Sequence, residues 1–208
     1  MPTLETTAAF FAVSLVLGFT PGPDNMFVLM QSASQGRRAG IVVVLGLCTG
    51  LLVHTAAVSL GLAAVFAASA VAFTVLKLFG AGYLAWLAWQ AWRAPAGASS
   101  ATAAGRTAPM RLYLRGIVLN LSNPKVSLFF LAFLPQFVDP ARGVVGFQLL
   151  WFGFVFIVAT LVSFGIITWL AGTLGTFLRR SPRAGVLMNR ATAIVFAGLA
   201  LRLATSGR

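Results

Sequence analysis

Apolar positions dominate the chain in six long runs, over residues 6–35, 39–62, 70–92, 112–138, 144–178 and 186–204, separated by short polar stretches. Each run is close to or longer than the roughly 20 residues that a helix needs to cross a bilayer. Two of them are interrupted by proline: the first at Thr20-Pro21-Gly22-Pro23-Asp24, the fourth at Ser122-Asn123-Pro124-Lys125. The fifth is longer than a span requires, which predicts tilt or a kink near Gly172. Residues 94–109 are rich in Ala, Ser, Gly and Thr and read as a flexible linker. The organisation expected is a three-helix repeat over 1–93, a cytoplasmic linker over 94–110 and a second three-helix repeat over 111–208.

The halves echo each other, because each opens with an apolar helix broken by a proline motif about 100 residues from its counterpart. Three spans is an odd number, so the second half enters the membrane inverted relative to the first. Inverted repeats with interrupted helices in corresponding positions are an arrangement of secondary transporters. The fold expected is an all-α integral membrane protein, six transmembrane helices in two inverted repeats with helices 1 and 4 broken.

Composition supports the bilayer as solvent. The 208 residues are 59% hydrophobic and 9% charged, against about 25% charged in a soluble domain. The net charge of +12 would fit a nucleic-acid binder if it formed one surface. Instead Arg37 and Arg38 fall in one short loop, Arg93, Arg106, Arg111 and Arg115 in or beside another, and Arg179, Arg180, Arg183 and Arg190 in a third. Every second loop is basic, as the positive-inside rule produces. The excess therefore reads as topology, with no nucleic-acid partner and both termini outside together with Arg142, Arg202 and Arg208. The start of the chain has no positive segment before its apolar stretch and does not read as a cleaved signal peptide. The single cysteine, Cys48, excludes an intrachain disulfide and a CxxC redox pair. No metal-ligand cluster or cofactor motif is present, so neither metal nor cofactor is expected.

Chemistry concentrates at the two breaks. Proline inside a helix removes a backbone donor and clashes with the preceding turn, and in lipid the freed carbonyls must be buried in protein or line a cavity. Thr20 is a candidate cap for a helix restarting at Pro21 or Pro23, and Ser122 or Asn123 for one restarting at Pro124. Each restart leaves free N–H groups and a positive dipole end. By helical rise Asp24 lies about 16 Å from Gln35 and Lys125 about 15 Å from Arg115, which puts both near the midplane. Ionisable groups there are costly unless paired or hydrated, and usually functional. Lys125 is opposed by its own helix dipole and needs an anionic partner: Asp24 when the site is empty, a substrate carboxylate when it is full. The alternative is a structural ion pair between two kinked helices.

Elsewhere the bland reading is favoured. Lys77 snorkels outward along its own stem, Gly46 and Gly50 form a small-xxx-small packing pair, and Trp86, Trp89 and Trp92 form an aromatic belt.

The residues Gly18-Phe19-Thr20-Pro21-Gly22-Pro23-Asp24-Asn25 resemble the first-helix signature of the LysE/RhtB family of bacterial amino-acid exporters. Asn120-Leu121-Ser122-Asn123-Pro124-Lys125, followed by Phe133-Leu134-Pro135-Gln136-Phe137, resembles its fourth-helix signature. Gly36-Arg37-Arg38-Ala39-Gly40, Gly46-Leu47-Cys48-Thr49-Gly50 and Lys77 to Leu84 also fit, so the likeness runs nearly end to end. It implies a six-helix secondary transporter of the inner membrane that exports a small amino acid or derivative in exchange for protons. The family's substrates range over basic amino acids, threonine, homoserine, its lactone and leucine, and a few relatives handle metal ions. On this reading Thr20, Pro21, Gly22, Pro23, Asp24, Asn25, Asn123, Pro124 and Lys125 bind substrate or couple its movement. His54 resembles a position where family members also carry His, so a proton relay is one role for it; a hydrogen bond between helices is the other. The resemblance leaves oligomeric state open, a homodimer included.

Other classes fit less well. An intramembrane aspartyl protease needs two membrane carboxylates, yet Glu5 and Asp139 lie near span ends. A serine hydrolase would need a nucleophile elbow near His54, and there is none. A channel, or an exporter of another small solute or ion, is the alternative that the broken helices argue against.

Overall fold

The computed structural model describes residues 1–68, 70–93, 107–180 and 182–205, without the side chains of 62–68, 70–73, 76–77, 174–180 and 182–185. Among the described residues the chain is helical and has no strand. Helix α1 (Leu4–Phe19) is capped by Thr3, whose hydroxyl accepts from the Thr6 N–H. After the first break come α2 (Pro23–Gln35) and α3 (Arg37–Ala68), joined through Gly36. Gly36 has φ +89°, a region open to glycine without strain. Helix α4 spans Ala70–Arg93 and α5 spans Pro109–Leu121. Beyond the second break, α6 (Pro124–Leu128) runs into a π-helical turn, Phe129–Phe133, and a 3-10 turn, Leu134–Phe137. Helices α7 (Val145–Arg180) and α8 (Pro182–Thr205) complete the chain. The expected linker lies, over residues 94–106, outside the described residues, as does the side chain of Lys77.

Among the described residues, three helical segments, Arg37–Gly61, Val145–Thr173 and Val186–Thr205, are long and apolar enough to cross a membrane. Two bent pairs pass the same test: α1 with α2, bent by 63°, and α5 with the segment from Pro124 to Phe137, bent by 49°. They make five spans if each bent pair is one. Helix α7 continues through Gly172 as a single helix of 36 residues.

Beside a buried apolar core, the exterior is itself apolar and several polar groups are buried. Leu60, Phe147, Ile194 and Leu201 are exposed, while Ser14, Thr20, Asp24, Asn25, Ser32, Asn120, Asn123, Lys125, Gln148 and Ser163 are buried. Many buried hydroxyls are satisfied within their own helix, Ser14 on the Phe10 carbonyl, Ser32 on Val28 and Ser163 on Ala159. The apolar outside matches a hydrocarbon solvent, and the interior is where the polar groups can pair.

Helix α3 packs against α5, α7 and α2; α7 packs against α1, α2 and α3; and α4 packs against α8. Small residues set these approaches. A methyl group on Gly46 would strike the backbone of Tyr113 and Gly116, which bears out the packing reading of that glycine. At one end, the Met1 amine donates to the Arg142 carbonyl and Gln148 clamps both Asp139 and Gly143. At the other, Gln35 exchanges two hydrogen bonds with Thr107. Between the first of these ends and the breaks, Phe10, Phe129, Phe130, Phe133, Phe137, Phe152 and Phe156 form one buried cluster with neighbouring ring centroids 4.8–6.5 Å apart.

Candidate functional site

The first break begins where Pro21 removes the N–H that would have served the Leu17 carbonyl. The Thr20 N–H takes that carbonyl at 3.2 Å while also reaching Val16 at 3.0 Å. The Thr20 hydroxyl turns back to Val16 O at 2.7 Å. Thr20 therefore closes α1 and does not cap α2, contrary to the sequence expectation. Helix α2 restarts at Pro23, not Pro21, with Gly22 in the cap position and no side-chain cap. Gly22 has an extended backbone (φ −164°) that any residue could adopt. Its requirement is space: a methyl group there would come 2.8 Å from Asp24 Oδ1 and 3.1 Å from Lys125 Nζ.

Asn25 closes the break from the far side, its amide donating to the Gly18 carbonyl at 2.6 Å. That carbonyl would have been paired with the Gly22 N–H in an unbroken helix. The Asn25 N–H in turn donates to Asp24 Oδ1 at 3.0 Å.

The second break is shorter. Asn123 caps α6, its Oδ1 accepting from the Lys125 N–H at 3.0 Å, as one of the two expected alternatives. Ser122 instead bonds back to the Val118 carbonyl at 2.7 Å. Pro124 leaves the Asn120 carbonyl without its helical donor. The Asn123 N–H takes it at 3.0 Å, and His54 Nε2 lies 3.5 Å from the same oxygen.

The two breaks meet through Lys125. Its ammonium lies 3.4 Å from Asp24 Oδ1, 3.3 Å from Asn25 Oδ1 and 3.2 Å from the Thr20 carbonyl. Asp24 and Lys125 are 3% and 5% exposed. None of the three contacts has the 2.7–2.9 Å length of a tight charge-assisted bond. The cation is shared among an anion and two neutral oxygens, one of them a carbonyl freed by the break.

The expected residues thus divide. Thr20, Gly22, Asp24, Asn25 and Lys125 come together, Asn123 holds Lys125 through its cap, and Pro21, Pro23 and Pro124 shape the backbone. His54 stands apart, against the Asn120 carbonyl and 5.6 Å from the Phe130 ring. Sequence reasoning took Asn120 only as part of the fourth-helix signature and not as a site residue; it is buried at 2% exposure against Gly50 of α3, where a methyl group would lie 2.6 Å from Asn120 Oδ1. An amide in an apolar helix face, three residues before Asn123, was the signal for it. Ser163 of α7, which packs into Gly18 beside the first break, was likewise passed over.

The chain matches the family model for the LysE type translocator over residues 15–207. It is 34% identical to an uncharacterized membrane protein of Vibrio cholerae, over 95% of this chain and 96% of that one. A homoserine/homoserine lactone efflux protein of Salmonella typhimurium is 32% identical over 93% of each chain. A leucine efflux protein of an Enterobacter species is 30% identical, covering 95% of this chain and 92% of its own. No solved structure matches the chain.

Proposed function

The chain belongs to the LysE type translocator family, multi-pass membrane proteins, and from that premise we propose that it exports a small amino acid or close derivative in exchange for protons. Relatives named for efflux of homoserine, homoserine lactone and leucine support the substrate class. The observation that carries the reading is the loosely shared Lys125 ammonium where two broken helices meet.

A zwitterionic amino acid complements this arrangement. Its carboxylate replaces Asp24 on Lys125, and its ammonium takes the carboxylate that Lys125 releases. One buried ion pair becomes two, so neither charge is left alone in a medium where that is costly. Thr20 O and Asn25 Oδ1 remain free to serve the lysine or the incoming ammonium. Protonation of Asp24 between cycles is the step through which a proton gradient acts.

Two inverted repeats, 1–93 and 111–208, make six spans of which α4 is the remaining one. At 24 residues α4 is about 36 Å long, enough for a hydrocarbon core of about 30 Å. Helix pairing supports the repeat: α3 on α5 has its counterpart in α7 on α1 and α2, while α3 on α7 and α4 on α8 map onto themselves. The end-on contacts of Met1 with Arg142 and of Gln35 with Thr107 are those expected with the termini outside and the basic loops inside.

The test is counterflow and gradient-driven uptake in proteoliposomes with the twenty amino acids and homoserine. Transport should saturate and be driven uphill by a proton gradient, which a channel cannot do. Asp24→Asn and Lys125→Met should each abolish uphill transport with the protein still inserted. If either variant concentrates substrate with wild-type pH dependence, the pair is scaffold.

A further inference from the structure

We infer that Asn120 and Asn123 form a neutral subsite beside the ion pair, one that recognises a hydroxyl group on the transported amino acid. The inference rests on the export reading above and assigns that site its substrate class.

Both amides are 2% exposed. Among the described residues, Asn120 Oδ1 and Asn123 Nδ2 are buried without a hydrogen-bond partner. Each belongs to the same break as Lys125, and the Asn123 N–H donates to the Asn120 carbonyl at 3.0 Å, which holds the two residues one tight turn apart. The orientation of the Asn123 amide is fixed by its work as a cap. Its Oδ1 holds the Lys125 N–H at 3.0 Å, so the NH2 group is the half left over. Asn120 is held against Gly50, where no side chain intervenes.

The pair therefore presents one unused acceptor and one unused donor. Buried amide groups without partners are costly, and in native proteins each needs a reason. A hydroxyl group both donates and accepts, and so offers each of them the partner it lacks. A methyl group satisfies neither, and a carbonyl that only accepts satisfies Asn123 alone. The charged ends of an amino acid go to Asp24 and Lys125, leaving the neutral amides for its side chain. Selectivity follows from the same chemistry. A site built to hydrogen-bond a hydroxyl rejects the isostere lacking it, because the site's own polar groups are then stranded, whereas an apolar pocket accepts both.

The deciding experiment measures counterflow in proteoliposomes with two isosteric pairs, L-homoserine against L-norvaline and L-threonine against L-valine. Wild type should favour the hydroxylated member of at least one pair by about tenfold or more. Asn120→Leu, similar in shape, should bring that preference close to unity by losing the hydroxylated substrate while transport of its isostere holds or rises. Asn123→Ser keeps an oxygen that can cap α6, removes the amide donor and should shift the preference the same way. A damaged fold would depress both members of a pair together, so that result in both variants overturns the inference. Equal transport of both members by wild type, or an unchanged preference in both variants, overturns it too. Exchange of other amino acids with neither hydroxylated substrate accepted removes the hydroxyl subsite and leaves export standing. Failure of every amino acid to exchange sinks the export reading and this inference with it.

Discussion

The two breaks begin from similar sequence and end in different chemistry. Both interrupt an apolar helix with proline and a small polar residue before it, and both are braced by a long helix of the opposite half. The first is bent by 63°. Three of its freed carbonyls, at Leu17, Gly18 and Thr20, are taken by the Thr20 N–H, the Asn25 amide and the Lys125 ammonium. A regular helix of 13 residues follows. The second is bent by 49°, leaves one amide oxygen and one amide nitrogen unpartnered, and passes through a five-residue helix into π and 3-10 turns. Turns of the π type often mark functional positions. The contrast teaches a division: the first break holds the carboxylate, while the second supplies the cation and two amide atoms that have no partner among the described residues.

Proline replacement tests that division with the largest effect. The second break contains one proline, so Pro124→Ala restores the N–H that the Asn120 carbonyl lost and lets α5 continue. Transport should fall by more than about tenfold, as it does when a site is displaced by about an ångström. Stability should hold or rise by about 1 kcal/mol for the restored backbone bond. The first break contains two prolines, and Pro23 stands at the first position of α2, where proline is well suited but not required. Pro23→Ala alone should lower transport less than about threefold, because Pro21 and Gly22 keep the chain extended. The Pro21→Ala, Pro23→Ala double variant should behave like Pro124→Ala. Transport rates and thermal unfolding of the purified variants measure both arms, and equal losses from Pro23→Ala and Pro124→Ala would erase the distinction.

The prolines and charges of this arrangement were legible in the sequence, because both residue types are costly inside an apolar run and persist where the fold or the chemistry uses them. The pairing of Asp24 with Lys125 followed from their similar depth. What the sequence could not carry was the destination of each orphan carbonyl. Thr20, Asn25 and Lys125 were all within reach of the first break, and only three-dimensional packing decides that Thr20 turns backward, Asn25 bonds Gly18 and Lys125 grips Thr20. The run Phe129–Phe133 reads from composition as ordinary helix, yet it widens into a π turn as its rings pack with Phe10, Phe152 and Phe156. Asn120 stayed hidden for a similar reason: its importance lies in the partner it lacks.

The glycines that admit the bracing helices sharpen the comparison at intermediate cost. Gly18 receives Ser163 of α7 before the first break, and Gly50 of α3 receives Asn120 before the second. An added methyl group at either position overpacks a helix contact, at about 1–3 kcal/mol of stability. The consequences should nevertheless differ. Gly18→Ala pushes on a hydroxyl already bonded within its own helix and should lower stability while leaving the ranking of substrates intact. Gly50→Ala pushes directly on Asn120 Oδ1, 2.6 Å from the new carbon, and should alter the ranking as well. Competition assays alongside unfolding curves separate the two, and a changed ranking in Gly18→Ala would show that the first break also reads the substrate.

The smallest effect is expected at His54, the residue for which a proton relay and a structural bond were both open. Its Nε2 is 3.5 Å from the Asn120 carbonyl, at the far limit of a hydrogen bond, and that oxygen already accepts from the Asn123 N–H at 3.0 Å. Its ring lies tilted over Phe130 at 5.6 Å. Among the described residues the partners of His54 are the Asn120 carbonyl and the Phe130 ring, with no hydrogen bond to Asp24, Lys125 or any other ionisable side chain. A brace for the second break needs only a donor of suitable length on α3. His54→Gln retains such a donor and removes the titratable ring, which makes it the discriminating substitution. Loss of one long bond costs at most about 0.5 kcal/mol, so transport should stay within about twofold of wild type. Its pH profile should be unchanged, because the carboxylate proposed to carry the proton, Asp24, remains. A His54→Gln profile that flattens while protein level and substrate ranking hold would instead place His54 in the proton path and give the second break a share of the coupling that is here assigned to the first.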